Sequence, residues 1–300
     1  MSDATTSSPS AAWLLAARPQ TLPAAAAPVI VAAALAAADG VFRWDRFTVT
    51  LLAAVAIQVG VNFANDLADA QRGADTADRI GPTRAVASGL IAPSQMRTGI
   101  AVAFGIATIL GAYLVAVAGW VIAVIGVASV VAALGYTGGP APYGYRGLGE
   151  LFVFVFFGLV ATVGARYVYD RTGPTDAWIA GVAMGALATA ILVANNLRDI
   201  DTDRAAHKRT LAVRLGRGRT RVLYAGLLAA AYATVAAGVV VGSLPPATLS
   251  VLLTAPLAVG LARTASTTDA GPPLIGVLVG TARLQLLFAM VLTAAVLAAG

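Results

Sequence analysis

Residues 61–84 read VNFANDLADAQRGADTADRIGPTR. They close a run of roughly twenty apolar residues, and Asn62, Asn65, Asp66, Asp69 and Asp75 gather at its end. Carboxylates at the end of a membrane-length apolar helix are costly, so they call for cations or polar partners. On a helix, Asn62, Asp66 and Asp69 fall at i, i+4 and i+7 on one face, and Asn65 and Asp69 stack at i, i+4.

Residues 195–216, NNLRDIDTDRAAHKRTLAVRLG, repeat the arrangement. An offset of 134 residues carries Asn62, Asn65 and Asp69 onto Asn196, Asp199 and Asp203. Each stretch runs on into basic residues, Arg79 and Arg84 in the first and Lys208, Arg209 and Arg214 in the second. Two oxygen-rich helix ends, each followed by cations, make a site for an anion bridged by divalent metal. Such oxygen ligands suit Mg2+, which is held by one or two carboxylates plus substrate phosphates. A solvated collar of local ion pairs explains any one of these residues, but not two clusters of matched spacing.

Composition sets the frame. The chain has 300 residues, 59% hydrophobic and only 11% charged, with a mean hydropathy of +0.82. Soluble domains carry about 25% charged residues, so this is a polytopic membrane protein. The absence of cysteine excludes disulfides and thiolate metal sites, and the lone His207 argues against zinc. In a soluble chain the net charge of +6 would suggest nucleic acid; here an excess of cytoplasmic arginine accounts for it, and no nucleic-acid partner is expected.

A bilayer core needs about 20 apolar residues per helix. Nine spans follow, over 11–38, 46–70, 94–117, 119–135, 148–169, 176–197, 222–241, 245–261 and 276–300. The expected architecture is all-α, a membrane helical bundle with a disordered tail at 1–10. Residues 11–300 form one transmembrane domain with an internal parallel repeat, since spans two and six run the same way. Arg18, Pro19, Pro23 and Pro28 kink the first span. With the N-terminus in the cytoplasm, 16 basic residues fall on the cytoplasmic side and 4 outside, the expected sign of asymmetry. Both Asn/Asp clusters then face the cytoplasm, in a multi-pass protein of the cell membrane.

One polar constellation remains, YTGGPAPYGYRGLGE at 136–150. Its glycines and prolines make it a loop. Tyr136, Tyr143 and Tyr145 are available to a flat aromatic or an isoprenoid, or are interface-belt residues. Arg146 and Glu150 stand at i, i+4 and suit a local ion pair. Arg18 and Arg283 are explained equally by snorkelling and by ligand binding.

Together these residues resemble the UbiA superfamily of intramembrane aromatic prenyltransferases, which carry two Asp-rich motifs on helices two and six of a nine-helix bundle. The likeness covers most of the chain and is greatest to the branch acting on 1,4-dihydroxy-2-naphthoate. Carrying it are ARPQTL from Ala17, Asn65-Asp66 through Asp69 with Gly73, Asp75, Arg79 and Arg84, the 136–150 loop followed by LFVFVFFGLV, NNLRDIDTDR with KRTLAVRLG, and TARLQLLF from Thr281. Three departures stand out. Gly73 occupies the place of the superfamily's third acid, with Asp75 as a substitute; asparagines open the second motif; and His207 stands where the branch usually has glycine.

The resemblance implies transfer of a polyprenyl group from its diphosphate to 1,4-dihydroxy-2-naphthoate, with loss of CO2, giving demethylmenaquinol. It implies Mg2+, one ion on Asn65, Asp66 and Asp69, with Asp75 as a further ligand, and another on Asn196, Asp199 and Asp203. The catalytic acids would be Asp66, Asp69, Asp199 and Asp203. Arg79, Arg84, Arg198, Lys208 and Arg209 would hold diphosphate, and Asn62, Tyr136, Tyr145, Arg146 and Glu150 would line the acceptor or prenyl pocket. Asp75, Asp78 and Glu150 are candidates for the base. Two alternatives stand beside this reading. One is a prenyltransferase with another acceptor, 4-hydroxybenzoate or a lipid glycerol phosphate. The other is a cation-coupled transporter, for which intramembrane carboxylates also speak.

Overall fold

The computed structural model describes residues 8–73, 84–269 and 271–300, with Pro272 as backbone only. Among these residues nine helices are long and apolar enough to cross a membrane, and no strand occurs. They are α1 (Pro9–Ala38), α2 (Trp44–Gln71), α3 (Pro93–Ala118), α4 (Trp120–Thr137), α5 (Gly149–Asp170), α6 (Thr175–Arg198), α7 (Leu211–Val240), α8 (Pro246–Thr267) and α9 (Pro273–Ala299). The even-numbered helices α2, α4, α6 and α8 all end at one pole of the bundle, so both Asn/Asp clusters meet there.

Three local features set up that pole. α1 is broken at Arg18, where φ is 51° and ψ 69°, because the ring of Pro19 disfavours helical backbone in the residue before it. A single turn, Pro19–Thr21, follows before helix resumes at Leu22. Polar residues of α2 satisfy the break: Asn62 donates to Ala17 O at 2.8 Å and Thr21 Oγ1 at 2.9 Å, and Gln58 to Thr21 Oγ1 at 3.1 Å. α6 is the central helix, with 78% of its apolar window enclosed against 17% for α3 and α4. It packs on α1, α5, α7 and α9. Glycine permits the closest of these contacts: a Cβ at Gly158 of α5 would lie 2.3 Å from the Gly185 Cα of α6. Small residues let membrane helices approach in this way.

Two expected boundaries are corrected. α1 takes in Pro9 and Ser10, assigned to the tail, because Ser8 caps it, its Oγ accepting from the Ala11 N–H at 3.3 Å. Residues 198–221, between the sixth and seventh expected spans, are largely helical. A short helix, Ile200–Ala205, precedes α7, which begins at Leu211 and breaks at Gly216, where φ is 73°. The charges extend this helix beyond the apolar segment because they have partners at neighbouring helix ends. Arg217 donates to Leu197 O and Asp201, and Arg221 to Ala265 O and Thr268 O. Cations at helix C-termini are favoured by the exposed carbonyls and the macrodipole.

At the opposite pole Arg166, 2% exposed, binds Asp39 and Asp170, and Arg46 donates to the carbonyls of Val168 and Tyr169 that end α5. This clamp closes the far end of the bundle.

Candidate active site

The last turns of α2 and α6 deliver their polar faces to one cavity of about 410 Å³. Asn62, Asn65 and Asp69 line it from α2, Asn195 and Asn196 from α6, and Asp199 from the C-cap of α6. Asp203 and Lys208 join from the segment after α6, and Arg84 and Tyr145 complete the polar end. All three residue pairs related by the 134-residue offset therefore line the same space. The lining along α2 runs back from Asp69 to Thr50, about 28 Å at 1.5 Å per residue. Away from the acids the cavity is apolar and aromatic. Tyr143 stacks on Phe152 with centroids 3.9 Å apart, and Phe152 on Phe156 at 6.0 Å. These two phenylalanines flank the start of a π-helical stretch, Phe154–Val160, a geometry found often at functional sites.

Asp69 is the hub. Its Oδ2 accepts from Arg84 at 2.9 Å, and its Oδ1 from the Tyr145 hydroxyl at 2.6 Å and Lys208 Nζ at 3.1 Å. Lys208 lies 4.6 Å from the Tyr145 ring centroid and Arg72 5.3 Å, so two cations are within reach of the ring's π-face. Burial first, and the negative charge of Asp69 second, hold the Tyr145 phenol above its ordinary pKa. It stays a proton donor to the carboxylate. Across the cavity, Arg198 grips Asp199 with two bonds, Nε to Oδ1 at 2.7 Å and Nη2 to Oδ2 at 2.6 Å, and donates to Asn195 Oδ1 at 2.9 Å. Asn65 accepts from Thr137 at 2.7 Å, and Asp203 from Thr210 at 3.5 Å.

Several expected site residues stand elsewhere. Asp66 does not line the cavity. It is 1% exposed, and its two oxygens accept the backbone N–H groups of Ala85 at 3.1 Å and Val86 at 2.9 Å. Helical geometry alone does not exclude it, since Asp66 lies about 40° around α2 from Asn62; the backbone of Ala85 and Val86, packed against that edge of the helix, takes its oxygens. Arg198 braces Asp199 rather than facing the cavity. Arg209 is exposed and contributes its backbone N–H to Tyr145 O at 3.0 Å. Arg146 is exposed, and no ion pair joins it to Glu150 among the described residues; Glu150 instead accepts from Asn196 at 2.9 Å. Asp75, Asp78 and Arg79 lie outside the described residues. Sequence reasoning passed over Asn195, Thr137 and the Phe152–Phe156 wall. The run LFVFVFFG was the available signal for the wall, but uniform apolarity hides which face turns inward.

His207 has a left-handed backbone, φ 56°. This accounts for the glycine usual at that place in the resembling branch, since glycine adopts positive φ without a Cβ penalty.

The oxygen donors fit a magnesium site. Asn65 and Asp69 face the cavity from one side, Asp199 and Asp203 from the other. No group of three or more acidic or histidine residues close enough to hold a metal occurs among the described residues. That sparse donor set suits an ion completed by substrate phosphates.

Fold and site together describe a multi-pass membrane protein whose polar, oxygen-lined mouth opens on a long apolar cavity. Residues 25–273 match the UbiA prenyltransferase family, and the chain belongs to that family. It is 43% identical over 289 residues to a 1,4-dihydroxy-2-naphthoate octaprenyltransferase of Mycobacterium tuberculosis, covering 95% of this chain and 96% of the relative. It is 41% identical over 223 residues to the protein of that description from Escherichia coli, covering 72% of each. The fold also matches a UbiA homolog from Archaeoglobus fulgidus solved with GPP and Mg2+, at a TM-score of 0.67 and 14% identity over 96% of this chain and 99% of that one. A UbiA homolog from Aeropyrum pernix aligns at 0.68 and 17% identity, over 91% and 97%.

Proposed function

We propose that this protein transfers a polyprenyl group from polyprenyl diphosphate to 1,4-dihydroxy-2-naphthoate, with loss of CO2, giving demethylmenaquinol. The observation that carries this reading is the two-ended cavity, whose lining runs about 28 Å along α2, with carboxylates and cations at one end and apolar and aromatic wall beyond them. The names of relatives that align over most of the chain add the acceptor.

Asn65 and Asp69 on one side, and Asp199 and Asp203 on the other, are the residues that would hold Mg2+; Asn196, expected beside them, is not included, its NH2 being held by Glu150. When bound, the metal supplies Lewis-acid neutralisation of the leaving diphosphate. Lys208 and Arg84 already converge on Asp69. With a diphosphate in the mouth their charges turn to its oxygens, where fixed positive groups stabilise the charge that grows as the allylic C–O bond breaks. The bonding pair leaves with the diphosphate, the carboxyl-bearing ring carbon of the acceptor attacks C1 of the prenyl group, and the bond from that carbon to the carboxylate then breaks, its pair restoring the aromatic ring as CO2 departs. The aromatic wall keeps water from the cationic carbon. Asp66 takes no part at the metal; it holds the Arg84–Val86 backbone so that Arg84 reaches Asp69.

The excess of basic residues at this pole supports a cytoplasmic N-terminus and a cytoplasmic active site. A transporter reading is less favoured, because the carboxylates stand at one end of the bundle and not at a midplane of broken helices.

The test is turnover of labelled polyprenyl diphosphate by purified protein with a panel of acceptors. Prenylated naphthoate product, formed with Mg2+ and lost with excess chelator, is the expected result. Preference for 4-hydroxybenzoate or a glycerol phosphate, or full turnover in chelator, would refute it.

A further inference from the structure

Glu150 is a buried carboxylate that the chemistry above does not use. It opens α5, is 7% exposed, and does not line the cavity. Its Oε1 accepts from Asn196 Nδ2 at 2.9 Å, and its Oε2 has no hydrogen-bond partner among the described residues. Folding alone gives little reason to keep such a group, since a well-packed apolar side chain in place of a buried ionisable group is often neutral or stabilising.

What the carboxylate does fix is polarity. The Asn196 amide donates through its Nδ2 to Glu150 Oε1, so its NH2 is turned toward Glu150. The carbonyl Oδ1 of Asn196 then faces away from Glu150. Asn196 lines the cavity, and no hydrogen bond to its Oδ1 occurs among the described residues. Its position is also defined. A Cβ at Gly149 would lie 3.3 Å from both Leu192 and Tyr136, so Asn196, one turn beyond Leu192, sits at the Tyr136 end of the aromatic wall. Asp199, one turn further, belongs to the polar mouth.

We infer that Asn196 Oδ1 receives a hydrogen bond from a ring hydroxyl of the aromatic acceptor, and that Glu150 is the positioning residue that keeps that oxygen turned toward the cavity. A flat ring against Tyr143, Phe152 and Phe156 presents its hydroxyl edge to this acceptor, and a ring lacking the hydroxyl leaves the oxygen unpaired. This inference rests on an aromatic acceptor, as proposed above, but not on which one.

The experiment uses the full-length protein with saturating Mg2+ and the acceptor that the wild type turns over best. Glu150→Leu removes the group that orients the amide. It is expected to melt no lower than wild type and to lose about tenfold in kcat/KM for the acceptor, with KM for the diphosphate within about twofold. Asn196→Asp brings two carboxylates together and is expected to lose about a hundredfold or more. Glu150→Gln combined with Asn196→Asp exchanges donor and acceptor while still turning an oxygen to the cavity, and should return to within about fivefold of wild type.

A folded Glu150→Leu variant with unchanged acceptor kinetics overturns the inference. So does a folded double variant no better than Asn196→Asp, or a loss confined to KM for the diphosphate. Failure of both Glu150→Leu and the double variant to fold makes the pair a folding element and also overturns it. A wild type that prefers 4-hydroxybenzoate sinks the naphthoate reading alone. A wild type that turns over no aromatic acceptor sinks both.

Discussion

Asp66→Asn separates a metal ligand from a positioning residue. Both Asp66 oxygens accept backbone N–H groups, at 3.1 and 2.9 Å, in a site 1% exposed. An asparagine keeps one acceptor and turns an NH2 against the other N–H. One charge-assisted bond is lost and the second becomes neutral. Net values of about 1.5–3 kcal/mol for a bond to a charged group and about 1 kcal/mol for a neutral one put the loss at about 2–5 kcal/mol. Relief of carboxylate desolvation returns part of this, leaving a fall in stability of about 1–3 kcal/mol. The turn then holds Arg84 less firmly against Asp69, and transition-state stabilisation falls by about 10- to 100-fold in kcat/KM for the diphosphate, at 1.36 kcal/mol per tenfold. The Mg2+ concentration for half-maximal activity should stay within about twofold, because the Asp66 oxygens do not face the cavity. The assay is initial rate against Mg2+ and against diphosphate, with thermal melting in the same detergent. A tenfold or greater rise in the Mg2+ requirement would show Asp66 to be a ligand and refute the geometric reasoning.

Three further outcomes are expected. Asp69→Asn and Asp203→Asn should each remove most activity, and the double variant should be scarcely worse than the worse single one, because residues acting on one transition state are not additive; clean multiplication of the two losses in kcat/KM would mean independent sites. His207→Gly should raise the melting temperature by relieving about 1 kcal/mol of left-handed backbone strain, and an unchanged or lower value would mean that the side chain compensates for its φ of 56°. A cysteine at Ala205, in a chain with no other, should resist an impermeant thiol reagent in intact cells, whereas ready labelling would reverse the orientation.

Much of this was legible in the sequence because membrane physics is one-dimensional. A span needs a run of apolar residues, and a charge within it needs a reason. The nine spans and the pairing of Asn62, Asn65 and Asp69 with Asn196, Asp199 and Asp203 follow from those two demands, and the break near Arg18 from the proline beside it. Spacing likewise predicted that the two helix ends share a site, and all six residues line one cavity.

Direction around a helix was another matter. Asp66 and Asp69 are both compatible with a face that includes Asn62, and only the neighbours of α2 decide between them. The backbone of Ala85 and Val86 takes Asp66, while Arg84, Tyr145 and Lys208 take Asp69. The same holds for the basic residues, alike in sequence. Arg198 braces Asp199, Arg217 and Arg221 cap helix ends, Arg209 and Arg146 face solvent, and Lys208 and Arg84 line the cavity. Composition and period determined which residues cross the bilayer and which stretches are polar. Which charge neutralises which was decided by tertiary packing, because a hydrogen bond needs a partner within about 3 Å, and residues far apart in the chain become such partners only when the helices assemble.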